Sequence, residues 1–432
     1  MNSESDEDHR SDVEYAREQD RADPLASFRN RFDLPDAYYM DGNSLGPVSD
    51  AAEATLQDAI DEWRTLGIRG WTEADPPWFW YGERLGDELA PLVGAESEEV
   101  VVANTTTVNI HTLIGTALDT LDGDEQGVLV NELDFPTDHY AIRAQLRHRG
   151  LDPETHLHVV ESRDGRTIKT EDIVRAMDEY AVGIVFMPSV LYRSGQLFDI
   201  ERITKAAHDR DILAGFDLAH SVGVVPHELS AHDVDFAVWC SYKYLNGGPG
   251  AIAGLYVNER HFRTMPALTG WWGHDKETQF EMNLEYTPAE TAGAWQIATV
   301  PVFSAAPLWG SVEIVREAGI ETIREKSLDL TSYLITLVEE RLADFGCTVG
   351  TPRDPASRGG HVAVEHPEGY RISQALRDRG IVVDFRQPNV VRICPAPLYI
   401  GYEDVWEVID VMHEILDERL YEEYDTQGES VT

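Results

Sequence analysis

The sequence predicts an α/β protein: a mainly parallel sheet with helices on both faces, followed by a smaller α+β C-terminal domain. Three observations carry that expectation. Short apolar runs of strand length, bounded by Gly, Pro, Asn and Asp, alternate with helical patterns between Val100 and Val257. After residue 310 the pattern changes to a long helical stretch and then closely spaced short strands. The 432 residues are also too many for one ordinary core. We therefore expect a disordered acidic tail over residues 1–24, a segment packing near the functional cleft over 25–50, a large domain over 51–310 and a small one over 311–432.

The elements follow in order. Residues up to Pro24 are acidic and nearly free of large apolar side chains, which predicts disorder. The turn Asp41-Gly42-Asn43-Ser44-Leu45-Gly46-Pro47 precedes a helix from Ser49 to about Leu66. Trp71, Trp78, Phe79, Trp80 and Tyr81 then form an aromatic cluster of the kind that packs a core. Val100–Ala103 reads as a buried strand. It ends in Asn104-Thr105-Thr106-Thr107 and a helix through Leu118, whose N-terminal hydroxyls and N–H groups suit a phosphate. A strand at Gly127–Val130 leads to the turn Phe135-Pro136-Thr137-Asp138. Strand 155–160, helix 170–180, strand 183–187, helix 200–209 and strand 212–217 complete the alternation. The stretch from Gly270 to Pro301 lacks periodicity and reads as loop. Residues 311–345 predict one long helix. Strands 347–350, 361–364, 381–385 and 391–394, a helix at 370–378 and a closing helix at 403–421 follow, before a short acidic tail.

Composition bounds the function. Against 35 Lys and Arg stand 78 Asp and Glu, a net charge of −43, which excludes a nucleic-acid binder that needs a basic face. Such charge exceeds what solubility requires and self-repels at low salt, so it predicts a salt-rich working environment. The three cysteines, Cys240, Cys347 and Cys394, are odd in number and far apart, fitting neither a disulfide framework nor a zinc cluster. No run of 18 apolar residues and no leader pattern is present, so a cytoplasmic location is expected.

The chemistry gathers around Asp235–Val257. An apolar run, Phe236–Cys240, breaks into Ser241-Tyr242-Lys243-Tyr244, placing one lysine on a turn at a strand end. A second strand end, Phe216-Asp217, precedes Leu218-Ala219-His220. A pyridoxal phosphate site needs a lysine amine for the aldehyde and an acid facing the pyridinium nitrogen. Lys243 and Asp217 have the types and positions for those roles, although an Asp at a strand end is also a common helix cap.

The wording of these segments resembles kynureninase, a pyridoxal-phosphate enzyme of the class V aminotransferase group. The stretches are DGNSLGP (41–47), TVN (107–109), FPTDHYA (135–141), FDLAHSVG (216–223), WCSYKYLNGGPG (239–250), GWWGH (270–274), RGGH (358–361) and VRICPAPLY (391–399), covering about nine-tenths of the chain. The resemblance implies the fold type I transferase architecture and hydrolysis of L-kynurenine to anthranilate and L-alanine in tryptophan catabolism and NAD biosynthesis. 3-Hydroxykynurenine is a second candidate substrate. Lys243 would carry the cofactor and move the α-proton, Asp217 would hold the ring as an electron sink, and Tyr242 would assist protonation. Cofactor contacts carried over residue by residue are Thr106, Thr107, Phe135, Pro136, Thr137, Asp138, His220, Trp271 and Thr299. Asn43, Ser44, Trp71 and Arg392 would meet substrate, Arg392 through its α-carboxylate. Trp271 and Thr299 would reach the neighbouring subunit's cofactor, implying a homodimer with shared sites. Pro188 departs from the family's Ser or Thr, with Ser189 the candidate replacement.

Two rival readings are weaker. Cysteine desulfurases share the fold but need a nucleophilic thiol on a mobile loop, and all three cysteines sit in or beside expected strands. A non-catalytic binding protein would be expected to lack Lys243 or Asp217, and both are present.

Overall fold

A computed structural model describes residues 11–35, 38–121 and 126–426. Its centre is a seven-stranded sheet in the order β4-β10-β9-β8-β7-β5-β6. The strands are β4 (Val100–Val102), β5 (Gly127–Asn131), β6 (Leu157–Val160), β7 (Val182–Pro188), β8 (Leu213–Asp217), β9 (Phe236–Trp239) and β10 (Gly254–Val257). From β6 to β9 every pairing is parallel, and β10 alone runs against its neighbours β9 and β4. Continuous apolar sequence in these strands follows from burial on both faces; β7 and β9 are buried at every residue. The carboxyl ends of β4, β5, β7, β8 and β9 therefore share one edge of the sheet, where ligands gather in open α/β folds.

Helices cover the sheet. α2 (Asp50–Leu66) starts at Ser49, whose hydroxyl accepts the Ala52 N–H at 3.1 Å. α3 (Tyr81–Val93), α4 (Thr106–Thr120), α6 (Thr170–Glu179) and α7 (Ile200–His208) match the expected helical stretches or fill the gaps between them. Phe135–Asp138, expected as a turn only, opens the helix α5 (Pro136–His148). Pro136 sits at the first helical position, where the missing N–H costs nothing.

Two further differences have local causes. The long helix expected from residue 311 is two helices, α8 (Val302–Ala318) and α9 (Ile320–Arg341), separated by Gly319 at φ +79°. The boundary drawn at 310/311 thus falls inside α8. The single strand expected at 381–385 is β13 (Ile381–Val382) and β14 (Asp384–Arg386), which belong to different sheets. β14 joins β11 (Thr348–Val349), β12 (Val362–Glu365) and β15 (Val390–Ile393) in an antiparallel sheet of order β11-β12-β15-β14. α10 (Gly369–Arg377) and α11 (Tyr402–Asp417) pack beside it.

The N-terminal expectation needs correction. Residues 1–10 lie outside the described residues, but Val13–Ala22 form a helix, α1, rather than a disordered tail. Asp20 and the flanking Asp23 are spent on contacts. Asp20 accepts the N–H groups of Tyr402 (2.7 Å) and Glu403 (2.9 Å), capping α11. Asp23 pairs at 2.7 Å with Lys326, both side chains buried. Ala16 is fully buried, and the rings of Tyr15 and Tyr333 lie 5.5 Å apart. Beyond α1, β1 (Phe32–Asp33) pairs with β3 (Val48–Ser49), and β2 (Tyr38–Tyr39) lies parallel to β13.

Candidate active site

Between the sheet's carboxyl edge and the small antiparallel sheet lies a cavity of about 290 Å³. Its large-domain wall comes from the turns after β4, β5, β8 and β9. Lys243, on the turn after β9, points Nζ to 2.8 Å from His220 Nε2. Asp217 ends β8, and its Oδ1 accepts the Ala219 N–H at 2.7 Å. Burial pushes the Asp217 carboxyl up to about 6, opposed by the Lys243 charge. Asp138, in the first turn of α5, is also buried. It is held well above the usual carboxylate range by burial and then by Asp217 and Asp134, and its Oδ1 has no hydrogen-bond partner. Burial holds His220 in its neutral form, with Lys243 and Arg392 adding to the effect. Thr106 and Thr107 open α4, and Thr107 Oγ1 lies 3.0 Å from Thr137 Oγ1.

The opposite wall is cationic. Arg392 on β15 and Arg386 on β14 face the cavity together with Asn43 and Ser44 of the N-terminal segment. Arg392 donates to the Tyr192 carbonyl at 2.6 Å and to Ser44 Oγ at 2.7 Å, and it pairs with the buried Asp384. Asn43 is fully buried, and neither its amide nitrogen nor its oxygen has a partner. Gly46 explains how this segment reaches the lysine turn. Its N–H donates to the Tyr242 carbonyl at 2.7 Å, and a Cβ there would meet the Lys243 carbonyl at 2.5 Å.

The donor set fits pyridoxal phosphate. A lysine amine and a buried acid share one cavity, and a helix N-terminus bearing two threonines offers N–H and hydroxyl groups to a phosphate. The orphaned polar atoms of Asp138 and Asn43 beside them await partners. Among the described residues, no group of three His, Cys, Asp or Glu side chains could hold a metal ion.

Not every residue expected at the site stands there. Asn43, Ser44, Thr106, Thr107, Phe135, Thr137, Asp217, His220, Tyr242, Lys243 and Arg392 line the cavity. Pro136 and Asp138 sit in the first turn of α5, next to the lining residues Phe135 and Thr137. Trp71 is elsewhere, its ring 5.7 Å from Trp78 and 5.5 Å from Trp272. Trp271 and Thr299 are exposed, away from this chain's cavity. Ser189 is fully buried and spends its hydroxyl on Ser221 at 2.6 Å, so it does not replace a cavity hydroxyl lost at Pro188. Tyr192 was missed; its ring meets Phe135 edge-on at 5.4 Å. Its place four residues after the carboxyl end of β7 was the available signal. All three cysteines are buried with free thiols, which burial pushes up, Cys347 and Cys394 to about 12.

Comparison with known proteins agrees with this geometry. Residues 323–412 match the family described as the kynureninase C-terminal domain. A kynureninase of Geobacillus thermodenitrificans is 50% identical over 420 residues, 97% of this chain and 98% of that protein. One from Bacillus anthracis is 48% identical over 419 residues, 97% of each. Among solved structures, the apo cysteine desulfurase of Thermococcus onnurineus superposes with a TM-score of 0.75 at 19% identity, covering 94% of this chain and 98% of that one. A lysine-to-alanine variant of C-DES, with glycine covalently linked to its PLP cofactor, gives 0.75 at 16% identity over 89% and 98%. At such identities the structural likeness establishes the fold alone, that of PLP-dependent enzymes.

Proposed function

The chain belongs to the kynureninase family, and on that premise we propose that its cavity hydrolyses L-kynurenine to anthranilate and L-alanine with pyridoxal 5'-phosphate as cofactor. One observation carries the assignment of roles. Lys243 and Asp217 lie on one wall of a single cavity, and Arg392 lies on the other. The Lys243 amine, the Asp217 carboxyl and the α4 N-terminus with Thr106 and Thr107 would hold the cofactor, with Phe135 against its ring. When bound, that group supplies an electron sink for negative charge developing on the substrate's carbon chain.

The chain's own residues do the rest. Arg392, with Asn43 and Ser44, orients the substrate by its α-carboxylate and so fixes which bond at Cα reacts. Lys243 Nζ takes the Cα proton, and neutral His220 Nε2, 2.8 Å away, holds the amine in place. Water adds its oxygen at the γ-carbonyl carbon, the Cβ–Cγ bond breaks, and the aryl fragment leaves as anthranilate. Tyr242 donates its phenolic proton to Cβ and recovers one from the water that adds at Cγ, and Lys243 returns its proton to Cα, so that the three-carbon fragment leaves as L-alanine. Burial raises that phenol above its ordinary value, so it is protonated across the physiological range.

The same reading includes a homodimer. Trp271, Phe280, Met282 and Leu284 are exposed on one segment, Leu284 at 103% of its reference area, and the exposed Thr299 follows. A second copy covering this segment would bury that apolar surface and bring Trp271 and Thr299 to its cofactor phosphate. A place in tryptophan catabolism follows from the reaction. A cytoplasmic location and a salt-rich cytosol rest on the composition, and no helix among the described residues is long and apolar enough to cross a membrane. The decisive test incubates the cofactor-loaded protein with L-kynurenine, and separately with its 3-hydroxy derivative, and follows anthranilate or 3-hydroxyanthranilate respectively, together with alanine. Absence of both products with both substrates would reject the assignment.

A further inference from the structure

The cationic wall is built as a cross-strand pair. The register of the antiparallel strands β14 and β15 sets Asp384 opposite Arg392. Asp384 is fully buried, and its Oδ2 gathers both guanidiniums, Arg392 through Nη2 and Arg386 through Nε at 2.8 Å. Ser44 Oγ lies 3.5 Å from the same oxygen, while Asp384 Oδ1 has no partner. Tyr192 completes the frame: its carbonyl takes Arg392 Nη1, and its ring centroid is 6.0 Å from the Arg386 guanidinium carbon. Arg392 Nε is buried without a partner, and the Arg386 side chain is 28% exposed.

Two like charges aimed into one small cavity repel each other, strongly where water is excluded. The carboxylate between them is the group that lets both point the same way. A fully buried arginine needs such a partner, and the other acid close by, Asp41, is raised to about 6 by burial and by Asp384, so it is a poorer anion near neutrality.

We propose that Asp384 is a positioning residue for the reaction. It aligns Arg392 and Arg386 as the two arms of the subsite for the substrate's α-carboxylate, without touching substrate itself. The proposal rests on the reading of Arg392 as the carboxylate grip. Arg386 becomes the second arm, held by Asp384 on one side and the Tyr192 ring on the other.

The test is a double-mutant cycle on the cofactor-loaded enzyme. D384N keeps the side-chain shape and removes the charge. It is expected to raise KM for L-kynurenine about tenfold, leave kcat within about threefold, and keep the visible cofactor absorbance. D384N/R392Q carries neither buried charge of the pair, so it folds even where D384N alone does not. Its KM is expected to exceed that of R392Q by a smaller factor than D384N exceeds the wild type, because the share of the aspartate's effect that runs through Arg392 is already lost and only the share through Arg386 remains. An unchanged KM in D384N, or effects that add in full in the double variant, would overturn the proposal. Failure of the underlying reading has its own signature. If R392Q still prefers L-kynurenine over its carboxamide as strongly as the wild type, the carboxylate is held elsewhere and the premise falls.

Discussion

The two walls of the cavity hold their charges in opposite ways. On the large-domain wall, Asp217 and Asp138 are buried acids pushed up by their surroundings, and Asp138 keeps an unpartnered oxygen. On the small-domain wall, Arg392 and Asp384 are equally buried but already bound to each other, with Arg386, Ser44 and the Tyr192 carbonyl around them. The acids of the first wall are unsettled until a ligand arrives; on the second the central ion pair is formed beforehand, with Asn43, Arg392 Nε and Asp384 Oδ1 left as the unpartnered atoms around it. Unsatisfied buried charge destabilises a protein, so it persists where a bound group will complete it. A settled pair keeps its geometry with the cavity empty.

The largest effect expected from this contrast is at Lys243. Lys243→Ala should abolish turnover, lowering it by at least about a thousandfold, and borohydride should no longer fix cofactor covalently to the chain. In the wild type the reduced label should map to the peptide carrying Lys243. Its appearance on another lysine would undo the assignment of the whole wall.

Stability should then separate the walls by sign. Asp384→Asn removes one partner of a buried pair and is expected to cost about 3–5 kcal/mol in denaturant unfolding of the cofactor-free protein. Asp217→Asn should do the reverse. With its folded value raised to about 6, Asp217 binds more protons in the native than in the unfolded state between about pH 4 and 6. Native stability therefore falls as pH rises through that window, and asparagine escapes the loss. The variant should match the wild type below about pH 4 and exceed it by up to about 3 kcal/mol above pH 6. Two variants that shift stability in the same direction at pH 7 would break the comparison.

A smaller effect is expected from Arg392→Ala, a fall in kcat/KM of at least about tenfold with the cofactor still bound. Near-normal kinetics would move the carboxylate grip to Arg386 or Asn43. The smallest concerns neither wall: with 78 acidic and 35 basic residues, the melting temperature should rise between dilute buffer and molar KCl as repulsion is screened to about 3 Å. A flat or falling melting curve would remove the salt-rich reading and leave the enzyme untouched.

The unsettled wall was far more legible in the sequence than the settled one. Asp217, His220 and Lys243 stand where apolar strands break into polar turns, and one parallel sheet aligns all such breaks along one edge. Arg392 could be named from its setting, but its partner Asp384 could not, because pairing depends on strand register. That register was hidden when residues 381–385 read as one strand instead of two in different sheets. Residues 13–22 hide their helix for a related reason. They carry few apolar side chains, and what orders them is the capping of a helix 382 residues away, which no local pattern encodes. Trp71 stands outside this chain's cavity, its ring packed beside those of Trp78 and Trp272, a placement its motif does not reveal.

The docking of α1 onto α11 and of β2 onto β13 sets an order of assembly. The residues made first, including Asp20, Asp23 and the strand before Asn43, have their partners at Lys326, Ile381–Val382 and Tyr402–Glu403. At translation rates of about 5–20 residues per second, the ribosome needs on the order of twenty seconds to more than a minute to reach those partners. Throughout that time the large sheet can form behind its own strands, while the segment bearing Asn43 and Ser44 has no small domain to close against. The cavity is thus finished last, by the two ends of the chain meeting, and a polypeptide halted near residue 370 would have its sheet and its lysine but only one wall.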